Sequence, residues 1–226
     1  MPSSSTIHFH LERSSLWRPA QAGAKAEIGE VPALLRRRAS EADRAALRVA
    51  FDCVGTQSRL QTIFCSRHGE VQRSVELLDQ LANHEPLSPM NFALSVHNAA
   101  AALYSVSTGN TAPMGALAAG RDSLPMGMLE AAALMAGGES SVLVVAYDGE
   151  LPERFQRFKD EDDSPYGLAL LLSQTHGPAF SMTLSASDSA ASSTPHALLL
   201  ADFLAGTDME LQIPSAPRLW TWRRDA

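Results

Sequence analysis

The alternation of apolar and polar positions divides the first part of the chain into short strands and helices. Ile7–Leu11 alternates apolar residues with histidines, which predicts a strand at the edge of a sheet. Ser40 is followed three residues later by Asp43, an approximate capping box that predicts a helix ending near Cys53. The short, β-prone run Thr62–Cys65 predicts a buried strand followed by a turn.

The same alternation of strands and helices continues through the middle of the chain. An apolar stripe over 71–81 predicts a surface helix, and the periodic, Ala-rich stretch Ser95–Ser107 predicts a more buried one. Met114–Ala119 is expected to be a short strand. The unbroken apolar run Ser141–Tyr147 is typical of a strand that is covered on both faces. Strands that alternate with helices predict parallel crossovers and an α/β layer structure.

The C-terminal third is less regular. Gly167–Ser173 and Phe180–Ser185 predict two further strands. The Ser- and Ala-rich stretch Ala186–Pro195 predicts a flexible loop, and a helix is expected over His196–Leu204. The tail Arg218–Arg224 is aromatic and basic; it could stack on nucleic acid or insert into a partner, and we expect it to dock onto the domain or a partner subunit.

Length and charge narrow the function classes. At 226 residues the chain is long enough for one substantial core. It has no internal repeat, so we expect a single domain over residues 1–226, with residues 186–226 as a C-terminal extension. A net charge of -7 argues against a general nucleic-acid binder, which needs a basic face. No stretch reaches the roughly 18 apolar residues of a membrane span, so no membrane partner is expected.

The two cysteines, Cys53 and Cys65, are too few for a disulfide framework and are expected to be buried free thiols. A reducing, cytoplasmic location suits them. His8 and His10 share one strand face, but no third metal ligand can be named, and no metal site is predicted. The sequence contains no phosphate-binding or dinucleotide fingerprint, so no cofactor is predicted.

A run of distinctive residues follows the surface helix. It comprises Ser88-Pro89, Phe92, Ser95, Asn98, Gly109, Ala112-Pro113 and Gly120-Arg121-Asp122-Ser123. This run resembles the active-site segment of the β-ketoacyl synthase family. The family pattern is Ser-Pro, a Phe, a Ser-x-x-Asn helix, a Gly, a Gly-Pro and then Ala-Cys-x-Ser.

The resemblance covers Glu27 to Ser173 and is strongest over Ser88–Asp148. It looks closest to the short, ketoacyl-synthase-like N-terminal domain branch, whose members are often described as chain-length-factor-like. It implies an α/β, thiolase-like half domain with a mixed, mostly parallel five-stranded sheet covered by helices. It also implies a homo- or heterodimer formed through the 114–119 strand.

The family nucleophile is missing at the turn between that strand and the next helix, here called the elbow (Gly120–Ser123). Condensation needs a thiolate, whereas Arg121 carries a guanidinium that cannot act as a nucleophile. Arg121 is either a plug or anion contact at a degenerate acyl pocket, or an exposed turn residue without a role. Asp122 and Ser123 are expected to cap the following helix.

With Arg121 at the elbow, the resemblance implies a non-condensing auxiliary protein without confident catalytic residues. It would act with a catalytic ketosynthase or an acyl carrier protein in fatty-acid, aryl-polyene or polyketide-type biosynthesis. The basic run 36–38 would contact the acidic carrier or be a solvated cluster. The alternative is a small acyltransferase or thioesterase that uses Cys65 or Ser66 with His68, although a strand cysteine and a turn histidine also suit purely structural roles.

Overall fold

The computed structural model describes residues 6–55 and 59–225, which form one mixed sheet with helices on both faces. The strands are β1 (Thr6–Trp17), β2 (Gln61–Cys65), β3 (Met114–Leu117), β4 (Ser141–Asp148), β5 (Tyr166–Ser173), β6 (Ala179–Ala186), β7 (Glu210–Ser215) and β8 (Arg218–Arg224). The helices are α1 (Ala33–Arg36), α2 (Glu41–Val54), α3 (Val71–Ala82), α4 (Pro89–Ala93), α5 (Ala99–Thr108), α6 (Ser123–Ala136) and α7 (His196–Ala205). A short 3-10 helix covers Glu153–Phe158.

The sheet has the strand order β3-β2-β4-β5-β1-β6-β8-β7. Strand β2 pairs in parallel with β3 and β4, and the remaining neighbours are antiparallel. The described residues therefore give eight strands with mostly antiparallel pairing, where five mostly parallel strands were predicted. The difference arises because β1 inserts between β5 and β6, and because β8 and β7 extend the sheet beyond β6.

The N-terminal strand lies inside the sheet, so the prediction of an edge strand was wrong. Its alternation of apolar and polar residues was interpreted as a sign of an edge. Alternation instead reports that one face of a strand is exposed, and an interior antiparallel strand satisfies that condition equally well. Phe9 is the only buried residue of β1, and most of its other side chains reach solvent at least in part.

Two hydrophobic clusters lie on opposite faces of the sheet. Helices α6 and α7 cover one face, where Ile63, Cys65 and Val144 point. Helices α2 and α5 cover the other face, where Phe64 and Val145 point. Successive side chains of β2 and β4 therefore point to opposite faces of the sheet, and helices bury both faces, as predicted for the β4 run.

Local signals explain where several helices begin. The predicted capping box of α2 is confirmed: the Asp43 amide donates to Ser40 Oγ at 3.0 Å, and the Ser40 amide donates to Asp43 Oδ2 at 3.1 Å. Helix α5 starts at Ala99, four residues later than the predicted Ser95. The separate short helix α4 and a turn precede it in the chain. Ser88 caps α4 by accepting from the Asn91 amide at 3.3 Å.

The aromatic tail is part of the sheet. Strand β8 pairs with β6 on one side and β7 on the other, and Trp220 and Trp222 are each only 1% exposed. The Arg224 guanidinium lies over the rings of Phe180 and Phe203, at 5.3 and 5.0 Å from their centroids. The expected docking of this tail onto the domain is therefore observed.

Candidate functional site

The elbow lies where β3 ends and α6 begins, at the carboxyl ends of the parallel strands. Gly120 has a φ of +62°, a backbone conformation that glycine adopts without strain. Ser123 Oγ donates to the Gly120 carbonyl at 2.7 Å and accepts from the Ala119 amide at 3.0 Å. The hydroxyl thus holds the turn together on both sides, and it is committed to the backbone.

Arg121 is anchored in this corner and is not a free surface residue. Its side chain is 21% exposed, and its guanidinium donates to the carboxylates of Asp160 and Glu161, both at 3.3 Å. It also donates to the carbonyl oxygens of Asp160 and Ser192. The side chain is therefore not the exposed turn residue of the second alternative, and its role as a plug stays a prediction.

A second arginine joins the same carboxylates from the loop after β2. Arg67 donates to Asp160 at 2.8 Å and lies 2.9 Å from Glu161. Burial lowers the pKa of Arg67, but the hydrogen bonds that Arg67 donates to Asp160 and Glu161 outweigh this effect, so the pKa of Arg67 is raised. In turn, the hydrogen bonds from Arg67 lower the pKa of Asp160. Two cations and two anions therefore neutralise each other at the mouth of the elbow.

Asp148, the last residue of β4, organises the loop that follows β2. Its carboxylate accepts from Ser66 Oγ at 2.6 Å, from the backbone amides of Arg67 and His68 at 3.1 and 2.9 Å, and from the Tyr166 hydroxyl at 3.2 Å. A buried carboxylate needs such partners to remain stable in the core. The Ser66 hydroxyl is therefore occupied by Asp148 and not by His68.

Cys65 lies behind the elbow, in the core. It is 1% exposed, and burial raises the pKa of its thiol far above the ordinary value. Helix α6 packs so closely here that a Cβ built on Gly127 would be 2.2 Å from Cys65 Sγ. The enzyme alternative, with Cys65 or Ser66 and His68, stays a prediction, and this geometry gives no support to a reactive thiolate.

Two buried residues, whose partners the sequence did not reveal, complete the corner. Asp122 accepts from Trp220 Nε1 at 2.9 Å and from Arg218 at 2.8 Å, so its carboxylate faces β8 and does not cap α6. Asp122 occupies the N-cap position of α6, as predicted, but its side chain makes no capping hydrogen bond. His196 Nε2 accepts from Trp222 Nε1 at 2.8 Å, and burial lowers the pKa of His196 to about 3. The alternation Trp220-Thr221-Trp222 was the available signal for a strand that brings both indoles to one face.

The remaining candidate polar groups lie away from the elbow. His8 Nδ1 is 3.0 Å from the Asp225 carboxylate, and His10 Nδ1 is 2.9 Å from the Gly177 carbonyl. Across residues 6–55 and 59–225, no three His, Cys, Asp or Glu side chains come together as a metal-ligand group. In the same ranges, no helix has both the length and the apolar character needed to cross a bilayer.

The family can now be assigned. The model of the β-ketoacyl synthase N-terminal domain matches residues 12–223 of this chain. The chain belongs to the β-ketoacyl synthase N-terminal domain family. The resemblance drawn from the Ser88–Ser123 run is confirmed, and the match reaches through β8, well beyond the stretch in which the resemblance was noticed. No curated protein matches the chain.

Solved structures of ketosynthases are similar to this fold. A chain in the complex of the ketosynthase ApeO with its chain length factor ApeC, from Xenorhabdus doucetiae, is 25% identical, with a TM-score of 0.85 over 96% of this chain and 100% of that one. The ishigamide ketosynthase/chain length factor is 16% identical, with a TM-score of 0.62 over 80% and 68% of the two chains. A β-ketoacyl synthase from Burkholderia phymatum is 11% identical, with a TM-score of 0.56 over 76% and 59%. The predicted α/β, thiolase-like fold is confirmed.

Proposed function

We propose that this protein is a cytoplasmic, single-domain, non-condensing ketosynthase-like subunit that works beside a catalytic ketosynthase in fatty-acid, aryl-polyene or polyketide-type biosynthesis. The observation that carries the proposal is the elbow itself. The position where the family pattern has its cysteine holds Arg121, and that guanidinium is bound to Asp160 and Glu161. A site filled by a neutralised ion-pair network has neither a nucleophile nor a place for an acyl group.

The outer edge of β3 supports association with a partner strand. The carbonyls of Pro113 and Leu117 accept from amides on the β2 side, so by alternation the main-chain groups of Met114 and Ala116 face away from the sheet. Gly115 and Ala116 are exposed and small, which lets another backbone approach. An unpaired strand edge is a template for pairing with a second chain. We therefore propose a dimer through residues 114–119.

The similar structure from Xenorhabdus doucetiae contains a ketosynthase in complex with its chain length factor. By analogy, we propose a catalytic ketosynthase as the partner of this chain. An acyl carrier protein is a second proposed partner. The exposed Arg37, in the basic run that follows the short helix α1, is a suitable contact for an acidic carrier.

Co-purification with a catalytic ketosynthase from the same genome tests the proposal. We expect a one-to-one complex whose mass is measured by light scattering during gel filtration. Ala116→Pro removes the outward amide at the centre of the β3 edge without removing a bond to β2, and it should abolish the complex. Ala116→Ser keeps that amide and is the matched control, which should still bind.

The same preparation separates an auxiliary subunit from an enzyme. After incubation with an acyl-carrier thioester, intact-mass spectrometry should find an acyl adduct on the ketosynthase and none on this chain. An adduct on this chain that disappears in Cys65→Ala or Ser66→Ala would overturn the proposal in favour of an acyl-transfer enzyme. A strictly monomeric protein that ignores the ketosynthase would overturn it as well.

A further inference from the structure

The segment Lys159–Asp163, here called the acidic strap, connects the 3-10 helix to β5 and crosses the carboxyl ends of β2 and β3. Asp160 and Glu161 bind Arg67, which follows β2, and Arg121, which follows β3. The strap is thus the bridge between two loops that belong to different strands. Its next residue is also held, because the Asp162 amide donates to the Ser193 carbonyl at 2.7 Å.

Small cavities lie directly beneath the strap. One has a volume of about 10 Å³, comparable to the room of a single water molecule, and is lined by Cys65, Arg121, Glu161, Tyr166 and His196 among others. A second cavity of the same volume shares Arg67 and Asp148 with the first and is also lined by His68 and Asp160. The strap residue Glu161 lines both cavities, so it forms part of their roof.

The first cavity is lined by a buried imidazole. His196 is 6% exposed, and its Nδ1 has no hydrogen-bond partner, although Nε2 accepts from Trp222. An unpaired buried polar atom is unfavourable, and contact with solvent relieves it. A buried side chain with such an atom favours a state in which water reaches it.

The contacts that hold the strap lie at the boundary with solvent. The Asp160 side chain is 48% exposed, whereas those of Glu161 and Arg67 are 14% and 19% exposed. The two ends of the strap are held without these ion pairs: Lys159 pairs with Asp163 across the strap, and Asp163 also accepts from the Leu151 amide at 3.2 Å. Ion pairs at such a boundary are individually weak and are screened by salt. The centre of the strap can thus release while its ends stay in place.

We propose that the acidic strap is a latch that closes the elbow cavity, and that breaking its ion pairs opens the cavity to solvent and small solutes while the rest of the domain stays folded. Opening would release Arg67 and Arg121 together, because both depend on the same two carboxylates. This inference does not rest on the proposed ketosynthase partner.

The two cysteines provide the test. Cys65 lines the cavity beneath the strap, whereas Cys53 is buried in the cluster on the opposite face of the sheet. Each thiol is labelled with N-ethylmaleimide, and the rate at which each cysteine is labelled is measured by peptide mass spectrometry. The labelling rate of each cysteine in a variant is divided by the rate of the same cysteine in the original protein. The difference in pKa between the two thiols therefore does not enter the comparison. The latch variant is Asp160→Asn/Glu161→Gln. Glu210→Gln, which breaks an exposed ion pair with Arg223 at 2.7 Å on β7, the strand at the sheet edge opposite β3, is the matched control.

We expect Cys65 in the latch variant to react about tenfold faster, with the rate of Cys53 unchanged and the control variant equal to the original protein. Raising the salt to about 1 M should accelerate Cys65 alone in the original protein, which tests the latch without any substitution. An unchanged Cys65 rate in both experiments would overturn the proposal. So would an equal acceleration of both thiols, because that result means global unfolding.

Discussion

The elbow and the outer edge of β3 are adjacent regions with opposite properties. At the elbow, Arg121 and its neighbours satisfy one another, and the cavity that remains is about 10 Å³. Along the edge, Met114 and Ala116 present unpaired main-chain groups beside an open groove of about 510 Å³. One strand leads into both regions. The comparison teaches that paired side chains fill the corner around Arg121, whereas the neighbouring strand edge keeps main-chain groups without partners in the described residues.

Breaking the elbow at its anchor should have the largest effect on stability. Asp122→Ala removes the partner of Trp220 Nε1, which is then buried without an acceptor, and leaves Arg218 unpaired. We expect a loss of roughly 3–4 kcal/mol in the free energy of unfolding, measured by urea denaturation. Asp202→Asn, an exposed ion pair elsewhere, serves as the control and should lose less than about 1 kcal/mol. Equal losses in the two variants would show that the Asp122 contacts carry no special weight.

Overfilling the elbow should have the next largest effect. Gly127→Ala places a Cβ 2.2 Å from Cys65 Sγ, so helix α6 must shift away from β2. We expect a loss of about 2 kcal/mol. Adding Cys65→Ala removes the sulfur and should restore part of that loss. Thermal melts of the two single variants and the double variant measure this coupling, and strictly additive effects would contradict the close packing.

Acid should weaken the elbow through His196, whose pKa in the folded protein is about 3 against an ordinary value of 6.5. A lowered pKa means that the folded state disfavours the proton, so this stability is present above pH 6.5 and is lost as the pH falls. His196→Gln keeps an acceptor for Trp222 without titrating. Between pH 8 and about pH 5.5, the original protein should lose about 1.4 kcal/mol more than the variant. Parallel urea curves for both proteins measure the difference, and identical pH dependence would contradict a buried neutral imidazole.

The edge should show the smallest change in stability and the clearest change in association. Ala116→Pro alters a main-chain group that has no partner within the described chain, so its free energy of unfolding should change by less than about 1 kcal/mol. A large loss in the free energy of unfolding would mean that the substitution disturbs the fold. A failure of this variant to bind would then not report on the β3 edge.

Much of the fold and of the elbow could be predicted because their signals are local. The capping box at Ser40 and Asp43, the apolar run of β4 and the Ser88–Ser123 motif each lie within a short stretch of sequence. Such stretches determine strand and helix positions directly. The absence of a thiol at Arg121 was also visible without a structure.

The partners of Arg121 could not be predicted, since they are distant in sequence. Arg121 binds residues 39 and 40 positions away, and Arg67 binds Asp160 at a separation of 93. In the sequence, the strap is only a short charged run, which is typical of a solvated loop. The edge position of β1 was wrongly predicted for a related reason: alternation indicates which face is exposed, but it does not indicate a strand's neighbours.

The bonds from Asp122 to β8 also determine when the corner can form. They join positions separated by 96 and 98 residues, so a long loop must close before either bond exists. Contacts of such separation form late in folding. A shortened chain that stops before Arg218 would still contain every residue of the family motif. The elbow that carries Arg121 would, however, lack its contacts with β8.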